Sequence, residues 1–201
     1  MDSVDQLVAI HARLQSGRGR RHRQDAIHRA GVVLTVAAWQ AYIEKVAIEA
    51  LTKIEQRIER EDDGTPTPVW IRASFKFRKP SVTKSVGDLN TPNSQNVWRL
   101  LDWSFGFDPR PFWVWESPRR HWDTRTFSDR TDAWLRIRHS IAHGNSLPEN
   151  LSWIKNNAGS PRLTLALLQE CQRHFRELAR RTDRAFIKFL RREYKVPKLG
   201  A

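Results

Sequence analysis

The sequence predicts an all-α protein, a bundle of roughly four to five helices with irregular segments around residues 62–93 and 106–127. Three observations carry this. Gln24 to about Arg60 runs without a proline and is apolar enough to form one long helix. Pro161 to Tyr194 repeats apolar residues at the period of a helix with one buried face. Clusters of proline and glycine at Glu61–Pro68 and Gly106–Pro111 fall between periodic runs and end the helices before them.

The 201 residues are 39% hydrophobic and 28% charged, enough for one globular domain with a core. The expected organisation is a single domain over 1–201, its core at about 24–194, without internal repeats. No run approaches the ~18 apolar residues of a membrane span. The most apolar stretch, Gly31 to Tyr42, is broken by Thr35 and Gln40. Asp2 and Asp5 do not make the basic-then-apolar opening of a signal peptide. The single cysteine, Cys171, cannot form an internal disulfide. It reads as a small core residue in a reducing, cytoplasmic setting. Lys and Arg number 35 against 22 Asp and Glu, a net charge of +13 with pI ≈ 10.8. Such a surplus suits a polyanion such as RNA, with solubility as the competing explanation.

Taken in order, Ser3 to Gln15 is expected as a first helix, N-capped by Ser3 with Gln6 completing a capping box. Ser16 to Arg23 is a basic, glycine-containing connector, either touching phosphates or solvated. The helix from Gln24 begins apolar nearly all round, with Val32, Val33, Leu34, Val36 and Trp39. That places it at the bundle centre or on a dimer seam. Ala37, Ala38 and Ala41 leave room for another helix, and Pro66 and Pro68 forbid continuation. Val69 to Asn93 reads as irregular and basic, with Phe75 and Phe77 packing on the core or stacking single-stranded bases. Ser94 to Phe105 is a third helix, N-capped by Ser94. Phe112 to Trp115 is expected to be extended and Glu116 to Thr126 a loop. A helix over Asp129 to His143 follows, N-capped by Ser128. It buries Ala133, Trp134, Ile137 and Ile141 and turns Arg138 and Ser140 away. Asn150 to Ser160 is a polar insert. The last helix points Leu168, Cys171, Phe175, Leu178 and Phe186 inward. Arg173, Arg180, Arg184, Lys188 and Arg191 line its other side, a stripe able to track a phosphate backbone or a solvated face laced with Glu177 and Asp183. Val196 to Ala201 is a tail.

The chemistry concentrates at Arg138-His139-Ser140-Ile141-Ala142-His143-Gly144. A spacing of five is ~140° of arc on a helix, so Arg138 and His143 do not share a face. They converge only if the helix ends near His143 or a partner helix completes the site. Gly144, followed by Asn145, supplies the ending. At that carbonyl end the protonated form of His143 is favoured. An arginine fork suits a phosphate, and a histidine titrating near neutrality can move protons. Together they suit RNA cleavage by 2′-OH attack, with no metal required. Solvated surface is the plain alternative. His139 and His143, four apart, also have a zinc spacing, but no obvious third ligand follows.

The same residues resemble the signature of the HEPN superfamily, an arginine followed four to six residues later by a histidine. Leu34 to Glu44 is similar to the early helix of the RiboL-PSP-HEPN branch, and Leu89 to Trp98 fits that branch too. The resemblance runs from about Ala26 to Phe189. It implies a HEPN-like bundle, typically a homodimer in which the motifs of two protomers meet in one cleft. By resemblance the protein is a metal-independent endoribonuclease without a cofactor, a toxin or phage-defence effector, leaving a 2′,3′-cyclic phosphate. Arg138 would clamp the phosphate and His143 transfer a proton. His139, Ser140, Asn145 and Glu44 would support them, with Arg173, Arg180, Arg184 and Lys188 holding RNA. His139 stands where the family often has Asn or Asp, so its share of the acid–base work is open. The expected partners are the RNA, a second copy, and an antitoxin or other protein, with no membrane. Two other classes compete: a non-catalytic HEPN module binding nucleic acid, nucleotide or protein, and, last, a DNA-binding protein, for which no compact helix–turn–helix pattern is evident.

Overall fold

The computed structural model describes residues 5–6, 8–9, 25–60, 67–117 and 120–196. Five helices carry the described fold: α1 (Asp25–Glu59), α2 (Val69–Gly87), α3 (Ser94–Phe105), α4 (Thr124–Ala142) and α5 (Leu165–Tyr194). A two-stranded antiparallel hairpin, β1 (Trp115–Ser117) and β2 (Arg120–Trp122), precedes α4 and pairs Trp115 with Trp122. Short 3-10 turns occupy Arg110–Phe112 and Ser152–Ile154. The all-α bundle is as expected. Asp5, Gln6, Val8 and Ala9 are helical, while the proposed Ser3 cap, the Ser16–Arg23 connector and the end of the C-terminal tail lie outside the described residues.

α1 is the central helix, with α5, α4 and α2 packed around it. By length and composition alone it would suffice to cross a membrane. In the bundle Val32, Val36, Trp39, Ile43, Ala47 and Ala50 are buried core. The polar residues within its apolar stretch are accommodated locally. Thr35 donates to the Gly31 carbonyl at 2.7 Å and Gln40 to Glu44 at 2.9 Å, each one turn away. Trp39 fixes the approach to α3, its indole N–H donating to the Pro92 carbonyl at 2.9 Å. Tyr42 donates to the Ala179 carbonyl of α5 at 3.3 Å. Cys171 is a fully buried core residue.

Residues 69–87 are helical, not irregular. Ile71 and Phe75 are half-buried and Val82 and Val86 buried, a helical stripe that Arg78, Lys79 and the exposed Pro80 interrupt in sequence. Phe77 is 88% exposed and takes no part in the core. The N-cap of α3 is Asn93, whose side chain accepts from Asn96 N–H at 2.7 Å, so Ser94 is the first helical residue. The Asp132 carboxylate accepts from the Ser94 backbone N–H at 2.8 Å and from its hydroxyl at 2.9 Å, tying α3 to α4. The expected loop over Glu116–Thr126 contains the hairpin and the first turn of α4. α4 starts early because Asp123, not Ser128, caps it, accepting from Thr126 N–H at 2.8 Å. Of the segment expected to be extended at Phe112–Trp115, Phe112 closes the 3-10 turn, Trp113 and Val114 are irregular and Trp115 opens β1. α5 begins at Leu165, capped by Thr164, and not at Pro161.

Candidate active site at the end of the motif helix

α4 carries the motif through its last two turns, and its termination shapes the site. His143 is the C-cap, with φ −98° and ψ 7°. Gly144 adopts φ +68°, a conformation in which a Cβ is penalised. Gly144 N–H then donates to the Ile141 carbonyl at 3.2 Å and Asn145 N–H to the Ser140 carbonyl at 2.8 Å. These two bonds are a Schellman motif, which satisfies carbonyls the helix end would otherwise leave open. Ala133, Trp134, Leu135 and Ile137 anchor the helix from below.

The stop leaves His139 and His143 exposed, their rings 4.2 Å apart between centroids and tilted by 49°. Arg138 is half-buried rather than turned away, and its Nε is enclosed without a hydrogen-bond partner. Trp134, one turn back, is fully buried and packs against Trp153, with ring centroids 4.8 Å apart. No hydrogen bond joins Arg138 Nε to His143 or any other group among the described residues, in keeping with the divergence of the two side chains around the helix axis. Beside them a pocket of about 570 Å³ opens between Thr91 and Asn93 before α3 and Asp132, His139 and Ser140 on α4.

The other proposed site residues separate. Ser140 is half-buried at the pocket edge, and its carbonyl closes the cap with Asn145. Glu44 is half-buried on α1 and accepts from Gln40, with no bond to Arg138 or His143. Arg173, Arg180, Arg184 and Lys188 all lie exposed on α5. Arg180 is engaged with Glu177 at 2.5 and 2.8 Å, and Arg181 shares that carboxylate at 2.6 Å. The arginine bonds, Arg180 first, hold the Glu177 carboxyl below the usual carboxylate range.

Two groups near the motif were not read from the sequence. Arg120 and Arg130 each approach Glu170 Oε1 at 3.7 Å, and both lie over the Trp122 ring, at 4.1 and 5.1 Å. Arg130 also lies 3.9 Å over Trp153, which links this cluster to Trp134. Beneath it His174 is fully buried. Thr131 donates to the Phe127 carbonyl at 3.0 Å, so at 2.8 Å it accepts from His174 Nε2–H. Nδ1 is left bare and without a partner. Burial first, then Arg130 and Arg120, lower the His174 pKa to about 3. Arg120 and Glu170 lie 50 residues apart in sequence and Thr131 and His174 43, and only the basic and tryptophan-rich composition of 113–134 hints at the cluster.

A family model described as RiboL-PSP-HEPN matches residues 2–188. No curated protein and no solved structure matches the chain. The matched span takes in the described bundle up to the last turns of α5, with the arginine–histidine motif inside it. The chain therefore belongs to the RiboL-PSP-HEPN family.

Proposed function

We propose that this protein is a metal-independent endoribonuclease, with Arg138 and His143 as its catalytic residues. The observation that carries the reading is the capped end of α4. It presents an exposed histidine pair beside an arginine whose Nε has no partner. In the reaction the RNA 2′-oxygen attacks the adjacent phosphorus and gives its proton to an imidazole. The bond to the 5′-oxygen breaks, and that oxygen takes up a proton. The products are a 2′,3′-cyclic phosphate and a free 5′-hydroxyl. Arg138 stabilises charge on the phosphoryl oxygens, where a planar fork is worth most. Because Arg138 and His143 diverge within one protomer, the working site is a cleft between two copies. The basic face of α5, with Arg173, Arg184 and Lys188, would hold the flanking strand. A role as a toxin or phage-defence effector, held by an antitoxin or other protein in the cytoplasm, is the biological setting of this reading.

The second reading is a non-catalytic binding module. The divergence of Arg138 and His143 around the axis of α4 within one protomer favours it if no dimer forms. The decisive experiment is cleavage of labelled RNA in EDTA by wild type, Arg138→Ala and His143→Ala at matched folding. Loss of cleavage in both variants, with a cyclic-phosphate product from wild type, supports the ribonuclease. Inactive, folded wild-type dimer supports the binding module. Cleavage abolished by EDTA would point to metal at His139 and His143.

A further inference from the structure

The first half of α2 is loosely anchored. The helix buries Val82 and Val86, both beyond Pro80, which removes one N–H from the helical ladder. Before Pro80, Val69, Trp70 and Phe77 are exposed at 82%, 69% and 88%. Against this half lies a pocket of about 510 Å³. That is within the roughly 300–1,000 Å³ typical of small-molecule sites. Its walls are Leu51 and Ile54 of α1, Phe75 of α2, Phe105 of α3 and Tyr194 of α5.

The pocket is apolar inside and basic around its edge. Arg57, Arg78, Lys79 and Lys195 border it, and among the described residues Glu193 is the one carboxylate in its lining. Lys79 is paired with Glu55 at 2.6 Å. Arg78 has neutral partners, the Trp103 carbonyl, to which it donates, and the Trp103 ring, 5.4 Å from its guanidinium. Among the described residues no carboxylate cancels its charge. Its field reaches the wall, where it opposes the burial that raises the Tyr194 phenol. The Ser104 hydroxyl, also in the wall, is buried without a hydrogen-bond partner.

We infer that this pocket binds a long-chain carboxylate, with the acyl chain lying against α2 and the head group at Arg78. Aliphatic and aromatic walls favour a chain, which asks for no hydrogen bonds along its length. A nucleobase or sugar would leave its polar edges facing Leu51, Ile54 and Phe105. The site is separate from the motif. Trp39 holds Pro92 beside the motif pocket, and Leu51 lies about 18 Å further along α1. The inference does not rest on the ribonuclease reading.

The test uses the full chain and a dansyl-labelled undecanoic acid, whose emission shifts to the blue in an apolar site. Wild type is expected to bind it and to release it to unlabelled fatty acids. Affinity should rise roughly tenfold for each two methylenes added, from octanoate to decanoate to dodecanoate. Ser74→Trp, at an exposed position bordering the pocket, should fill the space and weaken the probe at least tenfold with unchanged circular dichroism. Arg78→Gln should weaken dodecanoate but not dodecanol. No emission shift in wild type, equal binding by Ser74→Trp, or affinity independent of chain length would overturn the site. Equal loss of acid and alcohol in Arg78→Gln would overturn the head-group assignment.

Discussion

The rings of His139 and His143 lie 4.2 Å apart, tilted by 49°, at the capped end of α4, with Arg138 half-buried beside them. Transesterification of RNA needs one group to take a proton and one to give it, and two imidazoles meet that need without a metal. His139→Gln is expected to lower kcat/KM for RNA cleavage by about 10²-fold. It should also erase one limb of a bell-shaped pH–rate profile. A fall with both limbs intact would mark His139 as a support for His143 rather than a second proton carrier.

His174 makes acid stability a property of the core. Its pKa is ordinarily 6.5 and lies at about 3 in the fold. Above pH 6.5 neither the folded nor the unfolded state is protonated there, and the stabilising difference is intact. As pH falls from 6.5 toward 3, the unfolded chain gains a proton that the folded core refuses, so stability declines. The loss is on the order of a few kcal/mol over that window. Its causes are physical neighbours: burial, Arg130 and Arg120. Thermal melts at pH 7 and pH 5 should show a smaller drop for His174→Phe than for wild type. An equal drop would remove His174 from the account.

Much of this was legible in the sequence because the signals are local. α1 and α3 follow from apolar period and flanking breakers, and Gly144 announces a stop that the structure realises at φ +68°. α2 was hidden because its stripe loses two positions to Arg78 and Lys79, while Phe75 and Phe77 mimic an alternating strand. The start of α4 was misplaced because Asp123 and Ser128 are both capping types, and the choice is made by the hairpin that delivers Asp123. The motif residues were legible as types, but the packing of Trp153 across Trp134, one turn before Arg138, comes from a separate segment. The cluster of Arg120, Arg130 and Glu170 is tertiary in the same sense.

The basic face of α5 makes a graded prediction for RNA binding. Arg173, Arg184 and Lys188 are exposed and form no ion pair among the described residues, whereas Arg180 is committed to Glu177. Arg184→Ala or Lys188→Ala should reduce the slope of log K against log salt by about 1 for each phosphate that the side chain neutralises in wild type. Arg180→Ala should have the smaller effect, since its guanidinium already has a carboxylate. Filter binding over a salt series separates these cases. Unchanged slopes at all positions would make the stripe a solvated face.

Gly31 fixes how closely α1 and α5 approach. A Cβ built on Gly31 would stand 2.6 Å from Leu168 Cδ1 and 2.8 Å from Cδ2. Leu168 is fully buried and has little freedom to move aside. An alanine in a helix is intrinsically favoured over glycine by up to about 1 kcal/mol. Overpacking a tight core costs about 1–3 kcal/mol, so the clash should win. Gly31→Ala is therefore expected to lower stability by roughly 1 kcal/mol in urea unfolding. Combining it with Leu168→Ala should show positive coupling, because the shortened side chain gives the new methyl its space. Additive losses would mean that Gly31 is tolerated rather than required, and that the contact with Leu168 does not set the spacing of the two helices.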